Sequence, residues 1–276
     1  MTAEGPTQLL LPLPLFAQAA VAAPLAIEAP APRGPTVEDD RLRLCIENAG
    51  KDPATSLAQA SAWVAESRGV NRSKPLECLG QIYTVLARWD AAEGAFIDAA
   101  QAAVASDNAR RAALFAQAGN AALAGSRAQR ALDHFDAALG VPGGETLQRG
   151  QVAIDRGRAL VALGRDGDAI EAFTAAQRDA PDDPDGWLLG ATLARRRNDL
   201  AAAQRQIAVA ASLAPKDPEV GLEAGVIAML VGDQPAARKA WEATLALAPG
   251  SKAAETAKGY LAQLGAPLAK SEQVGR

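Results

Sequence analysis

Residue types that catalytic and metal sites use most are scarce in this chain. Its 276 residues include one histidine, His134, and two cysteines, Cys45 and Cys78. Neither cysteine has a histidine near it in the sequence, so a cysteine nucleophile paired with a histidine base is not expected. No glycine-rich phosphate loop occurs, and the acidic run Asp179–Asp185 does not match the calcium-loop pattern. We therefore predict a protein that is not an enzyme and that holds no metal or other cofactor.

Aromatic residues and strand-forming patterns are scarce as well. Phe, Trp and Tyr make up 4% of the chain while hydrophobic residues make up 49%, so the apolar content is largely Ala and Leu. These two residues favour closely packed helices, and almost no alternating run of Val, Ile or Thr indicates a strand. The net charge of −4 argues against nonspecific binding of nucleic acid, which requires cations to neutralise phosphates. The composition predicts an all-α protein without a nucleic-acid partner.

The chain does have a clear period of 34 residues. Pro181, Pro215 and Pro249 are each separated by 34 residues. When each unit is numbered so that its proline is position 32, a small residue recurs at positions 8 and 20 and a large apolar residue at position 24. The small residues allow two helices to approach closely, and the large residue fills the space between them. A helix-turn-helix unit of this length cannot bury its apolar face alone, so we expect the copies to stack.

Two further units carry the same pattern earlier in the chain. At positions 8, 20, 24 and 27 they have Gly80, Ala92, Phe96 and Ala99, and Gly119, Ala131, Phe135 and Ala138. With the three units marked by proline, they define five repeats at residues 73–106, 112–145, 150–183, 184–217 and 218–251. The residues between repeats, before Ala112 and before Gly150, are interpreted as short insertions at turns.

This pattern resembles that of the tetratricopeptide repeat (TPR) family, W-x2-L-G-x2-Y followed by A, F, A and P at these spacings. The closest local match is the segment Leu79-Gly80-Gln81-Ile82-Tyr83. The resemblance extends over the five repeats at residues 73–251. It implies a right-handed superhelical solenoid of antiparallel helix pairs, with a concave groove that commonly binds peptides or proteins.

The segments that flank the repeats are interpreted as caps. Residues 37–72 contain two helical segments separated by Lys51-Asp52-Pro53, and we predict an N-terminal capping helix pair there. Residues 252–264 carry apolar side chains at helical spacing, as expected of a capping helix over the last repeat. Residues 265–276 are predicted to be a flexible tail.

Residues 1–36 combine a signal-like apolar segment with a Pro/Ala-rich linker. Leu9–Ala23 is apolar for fifteen residues, which is too short to span a bilayer, and Pro12 and Pro14 interrupt it. Small residues and then the linker follow, in the order found in a secretory signal peptide. Because Met1–Gln8 contains no Lys or Arg, a disordered tail without signal function is the alternative. No stable membrane span is expected.

The two cysteines bear on the cellular compartment. Cys45 and Cys78 are 33 residues apart, nearly one repeat length, so equivalent helices of adjacent units would place both thiols at similar heights. A disulfide is then geometrically feasible in an oxidising compartment, and two buried thiols in a reducing cytoplasm are the alternative. The arrangement of the two cysteines across the cap, together with the segment Arg33–Cys45 that precedes it, resembles that in exported TPR proteins of Gram-negative bacteria. This resemblance favours a periplasmic location over a cytoplasmic one.

The TPR resemblance also implies which residues line the groove, namely positions 2, 5, 9, 12 and 13 of each first helix. By register, the inner face is polar in the first repeat, basic in the middle and apolar near the C-terminus. The candidate peptide-binding residues are Arg158, Arg195, Arg196, Asn120, Leu188, Leu222, Val226 and Met229. The hypothesis is that the arginines receive an acidic group of the ligand beside an apolar floor. The alternative is a solvated face in which the arginines pair with Asp185 and Glu219.

Two functions are compatible with these observations. The first is a non-catalytic scaffold that binds a protein or peptide in the concave groove, in the assembly or quality control of envelope proteins. The second is an accessory or regulatory subunit that is permanently packed on an enzyme. Chaperone-binding TPR domains carry Lys and Asn where this chain has Glu77 and Gln81, so a chaperone tail is not the expected ligand. The sequence leaves the oligomeric state open.

Overall fold

The structure is a computed structural model that describes residues 36–143 and 145–265. These residues form thirteen α-helices and one short 3-10 helix, Gly69–Arg72, and they contain no strand. The helices are α1 Val37–Ala49, α2 Pro53–Glu66, α3 Ser73–Val85, α4 Trp89–Ala102, α5 Asn108–Ala124, α6 Ala128–Gly140, α7 Thr146–Ala162, α8 Asp166–Asp179, α9 Pro184–Arg196, α10 Leu200–Leu213, α11 Pro218–Leu230, α12 Gln234–Leu247 and α13 Lys252–Gly265. The sequence predicts a signal-like segment with a linker at residues 1–36 and a tail at residues 265–276, and of these residues 1–35 and 266–276 lie outside the described residues.

The described helices form a solenoid in which each helix packs mainly against its neighbours along the chain. Each of the five repeats consists of a first helix and a second helix, from α3 and α4 to α11 and α12. The buried apolar residues form clusters that cross repeat boundaries, and one such cluster extends from Ala122 in α5 to Leu193 in α9. Because neighbouring units share this core, the stack behaves as one structural unit rather than as separate domains. Within the described part of the chain, no helix combines the length and apolarity that crossing a bilayer requires.

The small and large residues that recur in the repeats pack against each other in the structure, as the sequence predicts. In four repeats the glycine at position 8 of the first helix lies against the aromatic ring at position 24 of the second, where any Cβ would overlap a ring atom: Gly80 with Phe96, Gly119 with Phe135, Gly157 with Phe173 and Gly225 with Trp241. The fourth repeat has Ala191 and Ile207 at these positions, so a larger first residue is matched by a smaller second one. The combined volume of the side chains at positions 8 and 24 is therefore similar in each repeat.

The turn between the two helices of a repeat also has one conformation throughout. Position 15 has a positive φ in all five repeats: Ala87 at 52°, Ser126 at 61°, Gly164 at 72°, Asn198 at 62° and Gly232 at 88°. The amide at position 16 then donates to the carbonyl of position 11, as Arg88 does to Tyr83 at 2.8 Å and Asp233 to Ala228 at 2.9 Å. This left-handed residue ends each first helix and reverses the chain.

The residues between repeats are not confined to turns, which corrects the sequence interpretation. Helix α5 begins at Asn108 and helix α7 at Thr146, so in each case the four residues before the predicted repeat lengthen its first helix. Asp107 caps α5 by accepting a hydrogen bond from the amide of Arg110 at 3.2 Å. The sequence around Asp107 therefore specifies a helix start four residues earlier than the repeat register suggested.

At the N-terminal end, α1 and α2 form the capping helix pair, and a disulfide joins Cys45 of α1 to Cys78 of α3. The two Cα atoms are 6.1 Å apart, and Cys78 is fully buried. Helix α1 itself buries only Leu42 and Ala49, so few apolar contacts hold it in place. The disulfide thus supplies a covalent attachment where packing is sparse.

At the C-terminal end, α13 covers the last repeat. Its buried residues Ala253, Ala254 and Ala257 pack against that repeat, while Glu255 and Gly259 are exposed. Lys252 follows Pro218 by one period of 34 residues, so α13 occupies the place of a sixth first helix. Positions 4 and 8, which face the second helix in complete repeats, are Glu255 and Gly259 here, and a Cβ at Gly259 would meet no atom within 4 Å. This polar face is typical of a terminal cap.

Candidate functional site

A cavity of about 540 Å³ opens between α11, α12 and α13. Its lining residues are Val226, Met229, Leu230, Gln234, Trp241, Tyr260, Gln263 and Leu264. Six of the eight come from positions 9, 12 and 13 of α11 and of α13, which are positions assigned to the inner face of the solenoid. The other two, Gln234 and Trp241, come from α12. The cavity is therefore a widening of the inner face at its C-terminal end.

The walls of the cavity are apolar and held in place. The rings of Trp241 and Tyr260 lie with centroids 5.0 Å apart and planes tilted by 37°. The indole Nε1 of Trp241 donates a hydrogen bond to the carbonyl of Leu222 at 3.2 Å, so its one polar atom is satisfied inside the protein. Trp241 is 3% exposed and packs in a cluster with Ala237 and Ala257. The ring is therefore fixed before any ligand arrives, and the other lining side chains that can form hydrogen bonds are Gln234, Gln263 and Tyr260.

The structure brings only part of the predicted apolar floor to this cavity. Val226 and Met229 line it directly. Leu222 packs in the cluster of Trp241 without lining the cavity, and Leu188 packs against the preceding core cluster. Asn120 is exposed on α5, three repeats away from α11. The predicted site is thus a row along the inner face, of which the C-terminal end forms a cavity.

Two of the three predicted arginines are already paired with carboxylates. Arg158 donates to Asp155 at 2.6 Å and to Asp185 at 2.7 Å, and the second of these pairs joins neighbouring repeats. Arg195 donates from two nitrogens to Glu223, at 2.6 and 3.2 Å. The pairing with Asp185 agrees with the solvated-face alternative.

That alternative is wrong about Glu219, because the carboxylate that pairs with Arg195 is Glu223 on the buried side of α11. Arg196 is exposed and has no ion pair among the described residues. The role of these arginines in ligand binding stays a prediction.

The inner face of the first two repeats is occupied by internal polar contacts. Glu77 forms an ion pair with Arg110 of the next first helix, and burial raises the pKa of the Glu77 carboxyl despite the nearby cations. The carboxamide of Gln81 donates to that of Gln117 at 2.8 Å. These contacts join α3 to α5, the first helices of two neighbouring repeats.

The single histidine, His134, is part of a polar network around a buried carboxylate. His134 lies 2.7 Å from Glu93, a fully buried carboxylate that also accepts from Arg127 at 3.0 Å and pairs with Arg130 at 2.9 Å. Burial alone would raise the pKa of Glu93, but the hydrogen bonds from His134 and Arg127 and the charge of Arg130 outweigh it and lower that pKa. The network ties α4 to α6 across a repeat boundary.

Several cavity residues were missing from the sequence-based site. Tyr260, Gln263 and Leu264 were assigned only to the capping helix, and Leu230 was assigned to the inner face without being singled out. The 34-residue period contains the necessary signal, because extending it by one unit places α13 in register. Tyr260 then falls at position 9 and Leu264 at position 13. The described residues contain no group of three or more His, Cys, Asp or Glu that could hold a metal ion.

No protein-family model matches the sequence, and no curated protein matches it either. Among solved structures, the chain is similar to PilW, described as a widely conserved type IV pilus biogenesis factor, with a TM-score of 0.66 and 18% identity over 81% of this chain and 99% of that one. It is similar to PilF of Pseudomonas aeruginosa with a TM-score of 0.62 and 16% identity, over 81% of this chain and 97% of that one.

The structure is also similar to YrrB, a TPR protein with an unusual peptide-binding site. The TM-score is 0.50 and the identity 18%, over 67% of this chain and 91% of that one. At these identities the likeness establishes the fold, and it agrees with the repeat register, the helix pairs and the shared core. The chain therefore has the fold of tetratricopeptide repeat proteins, a right-handed solenoid of antiparallel helix pairs.

Proposed function

We propose that this protein is a non-catalytic scaffold that binds a segment of a partner protein along the concave face of its solenoid. The observation that carries the proposal is the cavity at the C-terminal end of this face, where α11 and α13 present matching positions of consecutive first helices. Concave, mostly apolar openings with a few polar groups are typical of binding sites. Among the described residues, no three or more His, Cys, Asp or Glu side chains are grouped so that they could hold a metal ion.

We further propose that the protein acts in the cell envelope, in the assembly or quality control of envelope proteins. The disulfide between Cys45 and Cys78 supports an oxidising compartment, because disulfides persist there and are rare in the cytosol. The likeness to PilW, named for pilus biogenesis, fits such a role at the level of fold. Cell fractionation after alkylation of free thiols tests the location. Periplasmic protein without free thiols is the expected result, and cytoplasmic protein with two reactive thiols per chain would contradict it.

The binding function is tested by site-specific photo-crosslinking in the native cell. A photoreactive amino acid replaces Arg196, which is exposed at position 13 of the repeat next to the cavity, and in a separate strain Arg205, which is exposed on the second helix of the same repeat. Both side chains are solvated, so neither replacement disturbs the core. Discrete adducts from position 196 and none from position 205 are expected. The same adducts from both positions, or adducts from position 205 alone, would reject the concave face as the binding surface.

A further inference from the structure

We propose that the cavity between α11, α12 and α13 is an anchor site for one bulky, uncharged apolar side chain of the bound segment, preferably an aromatic one. This inference rests on the proposed binding function and specifies its ligand chemistry. It differs from the expected acidic anchor, for which two of the three candidate arginines, Arg158 and Arg195, already form ion pairs with Asp155, Asp185 and Glu223.

The size of the cavity suits an inserted side chain. Its volume of about 540 Å³ exceeds what a single side chain occupies and leaves room for part of the main chain that carries it. Ligand cavities in proteins commonly measure about 300 to 1,000 Å³. The cavity is thus too large to be a packing defect between α11 and α13.

The lining carries no charge, and this excludes an ionised side chain as the anchor. None of the eight lining side chains carries a charge, and the only carboxamides are those of Gln234 and Gln263. A carboxylate or ammonium group inserted here would lose its hydration without gaining an ionic partner, which is strongly unfavourable. An uncharged apolar group loses no hydrogen bonds on entry and gains from removal of its surface from water.

The aromatic wall indicates which apolar group fits best. Trp241 and Tyr260 form a tilted pair, and the ring of Trp241 is locked by its hydrogen bond to Leu222. A third aromatic ring can pack on such a pair in an offset or edge-to-face arrangement. Met229 also lines the cavity, and its unbranched and polarisable side chain adapts to rings of different shape.

The two glutamines can bind the main chain of the segment that carries the anchor side chain. Gln234 begins α12 and Gln263 lies on α13, so carboxamides from two different helices border the cavity. Each carboxamide both donates and accepts hydrogen bonds, which matches the N–H and C=O groups of a peptide main chain. An extended segment would therefore place its apolar side chain inside and bond its backbone at the edge.

The test uses the full-length chain and a phage library of random twelve-residue linear peptides as the probe. Panning is carried out on the wild-type protein, on Leu230→Glu and on Val85→Glu. Leu230 is 53% exposed and lines the cavity, and Val85 is 52% exposed at the same position 13 of the first repeat. Equal exposure makes the two variants comparable in stability, and thermal melts verify that both remain folded.

The expected result is that wild-type protein and Val85→Glu enrich peptides with Trp, Phe, Leu or Met at one fixed place. Leu230→Glu should lower recovery of these clones at least tenfold. Synthetic peptides with the enriched residue changed to Asp should bind at least tenfold more weakly to the wild-type chain.

Each other outcome is decisive. Equal recovery on Leu230→Glu and wild type would overturn the anchor site and leave binding elsewhere on the concave face intact. Enrichment of acidic peptides would also overturn it, in favour of the arginines. Self-association of the wild-type chain that Leu230→Glu abolishes would assign the cavity to a second copy. No enrichment on any of the three proteins would overturn both the anchor site and the proposed peptide-binding function.

Discussion

Replacing Gly119 with Ala should destabilise the protein although alanine is the better helix former. Gly119 is buried in the middle of α5, and a Cβ there would lie 2.5 Å from a ring carbon of Phe135, which is itself fully buried. Ordinary van der Waals contact begins near 3.4 Å, so the ring or the helix must move by close to 1 Å. Overpacking of this kind costs about 1 to 3 kcal/mol.

The matched control is Gly94→Ala in α4. Gly94 is also inside a helix, but it is exposed and a Cβ there would meet no atom within 4 Å. Both substitutions gain the same helix propensity of about 1 kcal/mol, so the difference between the two variants isolates the steric cost. Gly94→Ala should raise the free energy of unfolding by up to about 1 kcal/mol, and Gly119→Ala should be about 1 to 3 kcal/mol less stable than that control.

The fourth repeat suggests how to repair the damage. It pairs Ala191 with Ile207 at the positions of Gly119 and Phe135, so the double variant Gly119→Ala/Phe135→Ile reproduces a pair that this chain already contains. The double variant should lose less free energy of unfolding than the two single variants lose in total, by about 0.5 to 3 kcal/mol. Denaturation in guanidinium chloride, followed by circular dichroism, measures the wild type, the three single variants Gly119→Ala, Gly94→Ala and Phe135→Ile, and the double variant. Equal stability of Gly119→Ala and Gly94→Ala, or strict additivity in the double variant, would refute the proposed packing between positions 8 and 24.

Three other changes test the cap, the buried network and the repeated turn. Replacing Cys45 and Cys78 together by Ala removes a cross-link between residues 33 apart, for which the chain-entropy relation gives roughly 3 to 4 kcal/mol; an unchanged denaturation midpoint would contradict a formed disulfide. Glu93→Gln should cost about 1 to 3 kcal/mol at pH 7. Since the folded-state pKa of Glu93 is lowered, its contribution is present above the unfolded-state pKa of about 4.3 and is lost as the pH falls through the folded-state value. The difference in melting temperature between wild type and Glu93→Gln should therefore shrink towards pH 3, and a difference that grows on acidification would reject the assigned charge. Ala87→Gly should raise the denaturation midpoint by the equivalent of about 0.5 to 1 kcal/mol, because position 15 has a positive φ of 52° that glycine adopts without strain; a lower midpoint would refute this account of the turn.

The sequence predicts the architecture well because the repeat interface is short-range and periodic. Position 8 and position 24 of one unit are close in the chain, and their sizes must match in every copy, so the pattern of Gly and Phe is visible without coordinates. The left-handed residue at position 15 is less visible, since Ala87 and Ser126 carry no preference for a positive φ. There the common geometry of the repeat overrides local propensity.

The charge pattern of the inner face is harder to read from the sequence. Register places Arg195 on this face, but its partner Glu223 lies at a position that the groove pattern does not include. A long arginine side chain can reach several nearby carboxylates, and helix spacing and side-chain rotamer decide which one it pairs with. A repeat motif specifies neither the spacing nor the rotamer. The helix start at Asn108 escaped prediction for a related reason, since the cap at Asp107 is a local signal outside the repeat.

The most direct test of the central claim, that a partner segment anchors in the cavity between α11 and α13, uses the methionine content of the chain. The protein has two methionines, Met1 and Met229, and Met229 lines the cavity. A protein labelled with ¹³C at the methionine methyl groups is titrated with a peptide recovered by panning and with the same peptide carrying Asp in place of its apolar anchor. We predict that the first peptide shifts the methyl resonance of Met229 and that the second peptide leaves it unchanged. A peptide that binds by calorimetry but leaves the Met229 resonance in place would contradict the claim.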